Sequence, residues 1–316
     1  MRNLTTELIA AKNYAAYDEA VKGILASKDV LAWILKWTTT EYSALTTNEI
    51  TKLIEDPSVS NIPVNPGLTN DRDSKITGLP TESNIQNESV IHYDVRFFVR
   101  NPLTNGRTNT RIIVNVEAQS DPNPGYDLVT RGVFYCGRML SEQAGRNFKG
   151  SDYDSIDKVY SIWICFNCST RMANTTSRYI IGHESLYGLF KDDSRHDLMQ
   201  VIMVRLPSED NYYNTLNRPT EFHQMLFDLF VKKMDPSEKI AFLRETYGFD
   251  LSEQEGGINK MSNLAEGVFK RGVNEGVRQI VESMLKKGKT PEEIHDLCDI
   301  PLEKIKEIQE ESLQLV

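Results

Sequence analysis

A chain of 316 residues is long enough for one large domain with an appendage or for two modest ones, and it can bury a substantial core. Its 40% hydrophobic and 26% charged residues are those of a folded globular protein and exclude a disordered or fibrous one. The formal charge of -9, from 45 acidic against 36 basic residues, argues against a protein that coats nucleic acid through long-range attraction. No segment approaches the ~18 apolar residues of a membrane span, so no membrane association is expected. The opening MRNLTTELIAAKNYAAYDEA is too polar for a secretory signal, and a cytoplasmic location is the expectation.

In chain order, Ser27 to Glu55 reads as helical. Leu31, Ile34, Leu35 and Thr38 recur at steps of three and four, and Asp56-Pro57 is the stop. Glu41 extends that apolar stripe by two turns. An acid there needs a metal, a cation or water, unless it simply faces solvent at the helix end. Residues 57 to 88 are rich in Pro, Asn, Ser, Asp and Gly and predict loops with one short strand. Ile91 to Arg100 then reads as a strand carrying Asp94. A loop with the turn signal Asn105-Gly106 follows, and Ile112 to Gln119 reads as a second strand.

Period-two alternation sets Ile112, Val114, Val116 and Ala118 on one face of that second strand and Ile113, Asn115, Glu117 and Gln119 on the other. A hairpin between the two strands puts Asp94 opposite Val116 or Glu117. Two acids on neighbouring strands suit a hard divalent cation, which takes oxygen ligands and keeps waters and phosphate oxygens in its shell. The segment from Ile91 to Gly150 holds eight basic residues against five acidic ones, so it is locally basic within an acidic chain.

Tyr126 to Gln143 predicts a helix after a Pro-Gly turn, with Arg131 and Tyr135 sharing a face at i,i+4. Val159 to Phe166 predicts a central strand buried on both faces, and Met199 to Leu206 an edge or additional strand. Four cysteines, Cys136, Cys165, Cys168 and Cys298, are too few and scattered for a disulfide framework. Cys165 and Cys168 have CxxC spacing, which His183 and His196 could complete as a zinc site. Cys165 reads more simply as a strand residue. Beyond Pro219, helices are expected over Phe222 to Tyr247, Ser262 to Lys287, from Pro291, and over Glu303 to Leu313. The division expected is a domain over 1–218 followed by a helical region over 219–316.

The ordered set of YDVRFFV with Asp94, RIIVNV followed by Glu117-Ala118-Gln119, PGYDLVTRGVFYCGRML and KVYSIWIC resembles the PD-(D/E)XK nuclease superfamily. It is most similar to its recombination-promoting nuclease and transposase-like branch, in which Glu-x-Gln stands where other members carry Glu-x-Lys. LAWILKWTTTEY is similar to that branch's first helix. The resemblance implies an α/β restriction-endonuclease-like core, a mixed sheet flanked by helices in the order helix, strand, strand, helix, strand, with an α-helical C-terminal extension. It implies a Mg²⁺-dependent DNA endonuclease, with Mn²⁺ or Ca²⁺ as alternative ions, and a role in recombination, mobile elements or phage defence. Carried over residue by residue, Asp94, Glu117 and the Ala118 carbonyl are metal ligands, Gln119 takes the superfamily lysine's place, and Glu41 assists from the first helix. Arg131 and Tyr135 match an Arg-x-x-x-Tyr whose guanidinium meets a substrate phosphate or locks Glu117 or Gln119 in place.

Two other readings stand beside this one. A nuclease fold without activity, serving as a binding or regulatory module, accounts for Gln119 and the acidic charge. The tail resembles a helix-turn-helix end, but its last helix is acid-rich where a base-reading helix carries Arg, Asn or Gln. Helix packing or self-association through Ile294, Leu297, Ile300, Ile305 and Ile308 is the preferred role for it, and a homo-oligomer is a candidate assembly.

Overall fold

The computed structural model describes residues 16–55, 58–59, 82–83, 91–103, 111–145, 148–188, 195–251, 254–298 and 300–313. The Asn105-Gly106 turn, Asp299 and most of the 57–88 segment lie outside them. The chain separates into two units, one of Asp18–Ser262 and one of Met1–Tyr17 with Asn263–Val316.

The larger unit is α/β. It opens within a helix over 16–25 (α1), of which it holds 18–25, followed by Lys28–Thr38 (α2) and Thr47–Thr51 (α3). Two-residue strands follow at Ser58–Val59 (β1), Glu82–Ser83 (β2) and Ile91–His92 (β3), then Val95–Arg100 (β4) and Arg111–Gln119 (β5). After helix Leu128–Ser141 (α4) come strands Lys158–Cys168 (β6), Thr175–Ile180 (β7) and Met199–Pro207 (β8). Helices Glu221–Phe230 (α5) and Pro236–Tyr247 (α6) complete the unit, into which the start of helix Glu255–Lys286 (α7) also falls.

The sheet runs β1-β4-β5-β6-β8-β7. β5, β6 and β8 are mutually parallel, while β4 and β7 join them antiparallel on either side, so the sheet is mixed and open. The hairpin pairing holds, with Val95 opposite Val116 and Arg100 opposite Arg111. α4 connects the parallel strands β5 and β6, as a parallel crossover requires.

Register assigns the two faces. Ile113, Val159, Trp163, Cys165, Val201 and Met203 share one face and pack with Leu128, Tyr135, Cys136 and Met139 of α4. Contact there is close enough to require glycine at position 132, where an added Cβ would lie 2.6 Å from Val201 Cγ1 and 3.1 Å from Trp163 Nε1. Gly132→Ala should therefore lower stability by about 1–3 kcal/mol in chemical denaturation, although alanine is the better helix former. On the other face, Thr176 Oγ1 meets His223 Nε2 of α5 at 3.1 Å, and Arg178 donates to the Thr38 carbonyl at the end of α2 at 3.0 Å.

Several expectations are corrected. The helix over Ser27 to Glu55 stops at Thr38, because the hydroxyls of Thr38 and Thr39 bond back to the carbonyls of Ile34 and Leu35 and a new capping box starts at Thr46 with Glu49. The run from Phe222 to Tyr247 is two helices. Asp235 caps the second and Pro236 supplies its first residue. Both belong to the sheet unit, so the division falls at 262–263 and not at 218–219. β8 is the additional strand expected over Met199 to Leu206 and not an edge, since the unforeseen β7 covers its outer side.

In the smaller unit, Val281 of α7, Ile294 of helix Pro291–Cys298 (α8), and Ile300, Ile305 and Ile308 at and within helix Leu302–Leu313 (α9) form a small core. Ile294, Ile300, Ile305 and Ile308 thus serve helix packing, one of the two roles expected for them, whereas Leu297 is 64% exposed. Among the described residues no helix is long and apolar enough to cross a membrane.

Candidate functional site

Strand pairing between β4 and β5 ends at Val95 and Val116, and the next residues on each side are Asp94 and Glu117. There side chains replace the backbone ladder. The Asp94 N–H donates to Glu117 Oε1 at 3.1 Å, and the Ala118 N–H donates to Asp94 Oδ2 at 2.8 Å. This reciprocal clasp explains why the run from Ile91 to Arg100 is broken at Tyr93-Asp94 and not one continuous strand. It also fixes the two carboxylates side by side at the carboxyl end of β5, next to the parallel strand β6.

Glu117 does not emerge on an open face. α4 covers that side of the sheet, and the residue is only 4% exposed. Burial first, and then the neighbouring Asp94 charge, push its carboxyl well above the usual range, against the opposing pull of the Asp94 N–H, Arg131 and Asn115. Asp94 is raised too, chiefly by burial, with Lys22 and the Ala118 N–H pulling the other way. Two carboxylates held together in a poorly hydrated place repel each other, and a cation between them relieves that cost.

Sequence reasoning missed the cation that the structure supplies. Lys22 of α1 lies 2.9 Å from Asp94 Oδ1 and 2.6 Å from Asp18 Oδ2, one helical turn away. Burial disfavours its ammonium, yet Asp94 and Asp18 hold it protonated above the ordinary lysine range. The signal was present in Asp18-Glu19-Ala20-Val21-Lys22, an i,i+4 acid–base pair on a helix whose Ala20, Val21, Ile24 and Leu25 are buried.

Arg131 and Tyr135 come together as their spacing predicts, with the guanidinium donating to the Tyr135 hydroxyl at 2.6 and 3.1 Å and to the Tyr126 hydroxyl at 2.8 Å. The guanidinium carbon lies 5.1 Å from the Trp163 ring centre. Its charge acts on Glu117 while its hydrogen bonds go to tyrosines, so it stands at the border of the pair and does not clamp it. Burial and Glu117 push the Tyr135 phenol up to about 12, which keeps it a neutral donor and acceptor. Gln119 is half-buried, and its amide donates to the Asp121 carbonyl at 2.7 Å.

Glu41 lies elsewhere. It accepts from Lys158 Nζ and from the Tyr160 hydroxyl, each at 2.7 Å, at the opposite end of β6 and on the opposite sheet face from Glu117. α2 ends at Thr38, before reaching it, so extending the stripe by seven residues does not apply. Burial alone would raise the Glu41 carboxyl, but Lys158 and Tyr160 hold it below its ordinary range. Its partner is a cation, one of the alternatives its sequence position left open.

Cys165 and Cys168 are buried, and burial pushes their thiols up to about 11 and about 12. Cys168 Sγ lies 3.5 Å from the Cys165 carbonyl. Neutral buried thiols of this kind behave as strand residues.

Among the described residues no group of three or more His, Cys, Asp or Glu side chains is placed to hold a metal ion. The Asp94–Glu117 pair offers two carboxylates. The Ala118 carbonyl turns to the same strand edge as its N–H, toward Asp94, because both groups of an extended residue point to one side. That set of oxygen donors suits Mg²⁺, which is commonly bound through one or two carboxylates with waters and substrate phosphates completing its shell. Comparison with known protein families, with characterised proteins and with solved structures finds no match to this chain.

Proposed function

We propose that the protein is a Mg²⁺-dependent endonuclease acting on DNA, with Asp94, Glu117 and the Ala118 carbonyl as the oxygen donors for the ion. The observation that carries this reading is the forced meeting of two carboxylates at the end of β5, where Glu117 accepts from the Asp94 N–H, Asp94 accepts from the Ala118 N–H, and burial disfavours both charges. A fold with no use for two such charges gains stability by replacing one, so their juxtaposition points to a cation site.

When bound, Mg²⁺ lowers the pKa of a coordinated water and offsets charge developing on phosphate oxygens. The chain's own groups do the remaining work. Asp94 and Glu117 fix the place of the charge, and the clasp of backbone amides keeps their oxygens from turning away. Arg131, held by the Tyr126 and Tyr135 hydroxyls, presents a guanidinium beside the pair for a phosphate group. Gln119 orients water or substrate through its amide and adds no charge. A restriction-endonuclease-like core and membership of the PD-(D/E)XK superfamily belong to the same proposal, supported by the hairpin–helix–strand order around the pair.

A second reading, an inactive binding module, is favoured by one observation: Lys22 already occupies Asp94 Oδ1. The two separate in one assay. Purified protein incubated with supercoiled plasmid in millimolar Mg²⁺ or Mn²⁺ should nick it, and EDTA should abolish the nicking. Intact plasmid together with an unchanged melting temperature across Mg²⁺, Mn²⁺ and Ca²⁺ would support the inactive module, because an ion that binds only the folded chain raises its stability by mass action.

A further inference from the structure

The ammonium of Lys22 touches the carboxylate that the proposed cation would need. Asp94 has two oxygens, and both are engaged: Oδ2 by the Ala118 N–H at 2.8 Å and Oδ1 by Lys22 at 2.9 Å. The Ala118 amide is fixed within a strand. Lys22 is on a flexible four-carbon stem, its side chain is 20% exposed, and its ammonium has a second acceptor, Asp18, at 2.6 Å. The part of this network that can yield is therefore Lys22.

We infer that Lys22 is a built-in counter-ion that competes with the divalent cation for Asp94, and that Asp18 is the acid onto which its ammonium withdraws when the cation binds. This inference rests on the metal reading of Asp94 and Glu117 and adds to it a regulator of occupancy. Without a divalent ion, Lys22 compensates the Asp94 charge and holds the helix over 16–25 against the end of β5. When the ion arrives the two cations repel, and the i,i+4 spacing lets the ammonium keep Asp18 while releasing Asp94. Lys22 thus raises the ion concentration at which the site fills, and Asp18 lowers it again. A lysine at this place also puts a positive charge beside the pair, which Gln119 does not supply.

Opposite effects from two residues one turn apart are the distinguishing test. Mn²⁺ binding to full-length protein stripped with EDTA is followed by electron paramagnetic resonance, with melting temperature measured alongside. Lys22→Met is expected to bind Mn²⁺ about ten-fold more tightly than wild type, equivalent to ~1.4 kcal/mol. It should melt lower than wild type without the ion and show a larger rise with it. Asp18→Asn is expected to bind Mn²⁺ more weakly. Lys22→Gln, which keeps a hydrogen-bonding side chain without charge, serves if the methionine variant does not fold, and it should also bind more tightly. A structural tether alone would lower both melting temperatures and leave both affinities unchanged, and that result overturns the inference. If wild type binds Mn²⁺, Asp94→Asn abolishes binding and Lys22→Met and Lys22→Gln match wild type, the metal reading stands and the role of Lys22 fails. If none of the proteins binds Mn²⁺, both fail.

Discussion

Asp94→Asn and Glu117→Gln are each expected to nick supercoiled plasmid about 10²–10³-fold more slowly than wild type in Mg²⁺, the scale of losing one preorganised group that stabilises developing charge. Because the two carboxylates act as one unit, the double variant should fall little further than either single change. A second readout separates chemistry from folding. Burial and Asp94 raise the Glu117 carboxyl in the folded state. An acid whose folded pKa exceeds its unfolded value costs stability as pH rises from about 4.3 through the folded value, so ionised Glu117 is unfavourable at neutral pH. Glu117→Gln should accordingly gain about 0.5–2 kcal/mol in metal-free urea denaturation at pH 7 while losing activity, the usual exchange at a functional site. Were the acid only a backbone acceptor for Asp94, the glutamine oxygen would take over that bond and any nicking would be unchanged.

Lys158→Met is expected to destabilise the protein by about 3–5 kcal/mol, because it strands the buried Glu41 without its cation. The loss from Glu41→Gln should be smaller, about 1–3 kcal/mol, since Lys158 retains Asp197 at 2.5 Å and the amide can still accept from Tyr160. The pH dependence has the opposite sign to that of Glu117. The Glu41 carboxyl is held below its ordinary range, so its contribution is fully present above about pH 4.3 and is lost as pH falls through the depressed folded value. Equilibrium denaturation from pH 3 to 7 checks this, with the dependence weakened in Glu41→Gln. Neither substitution should change Mn²⁺ affinity. A loss of metal binding in folded Glu41→Gln protein would return this residue to the candidate site.

The contrast between these two acids shows how far the sequence carries. Alternation along Ile112 to Gln119 and the hairpin placed Asp94 against Val116 or Glu117, and the pairing of Val95 with Val116 selects Glu117. The apolar run from Val159 marked β6 as a strand buried on both faces. Glu41 was misplaced because helical periodicity says nothing about where a helix stops. Thr38 and Thr39 stop it through hydroxyl bonds that only the folded backbone reveals. Lys22, and with it Asp18, was missed because the contact of Lys22 with Asp94 spans more than seventy residues, and no local pattern encodes it. β7 escaped because Thr175 to Ile180 is an exposed edge strand with a polar sequence, which carries little hydrophobic signal. The placing of α5 in the sheet unit is likewise tertiary, resting on Phe222, Leu226 and Phe230 being buried.

Anomalous diffraction from crystals of the full chain soaked in Mn²⁺ reads out whether Asp94 and Glu117 together hold a divalent cation. A manganese peak is expected within about 2.0–2.5 Å of a carboxylate oxygen of each residue, with the Lys22 ammonium withdrawn toward Asp18. A fully soaked crystal with no peak at the pair, and Lys22 still on Asp94, would contradict it.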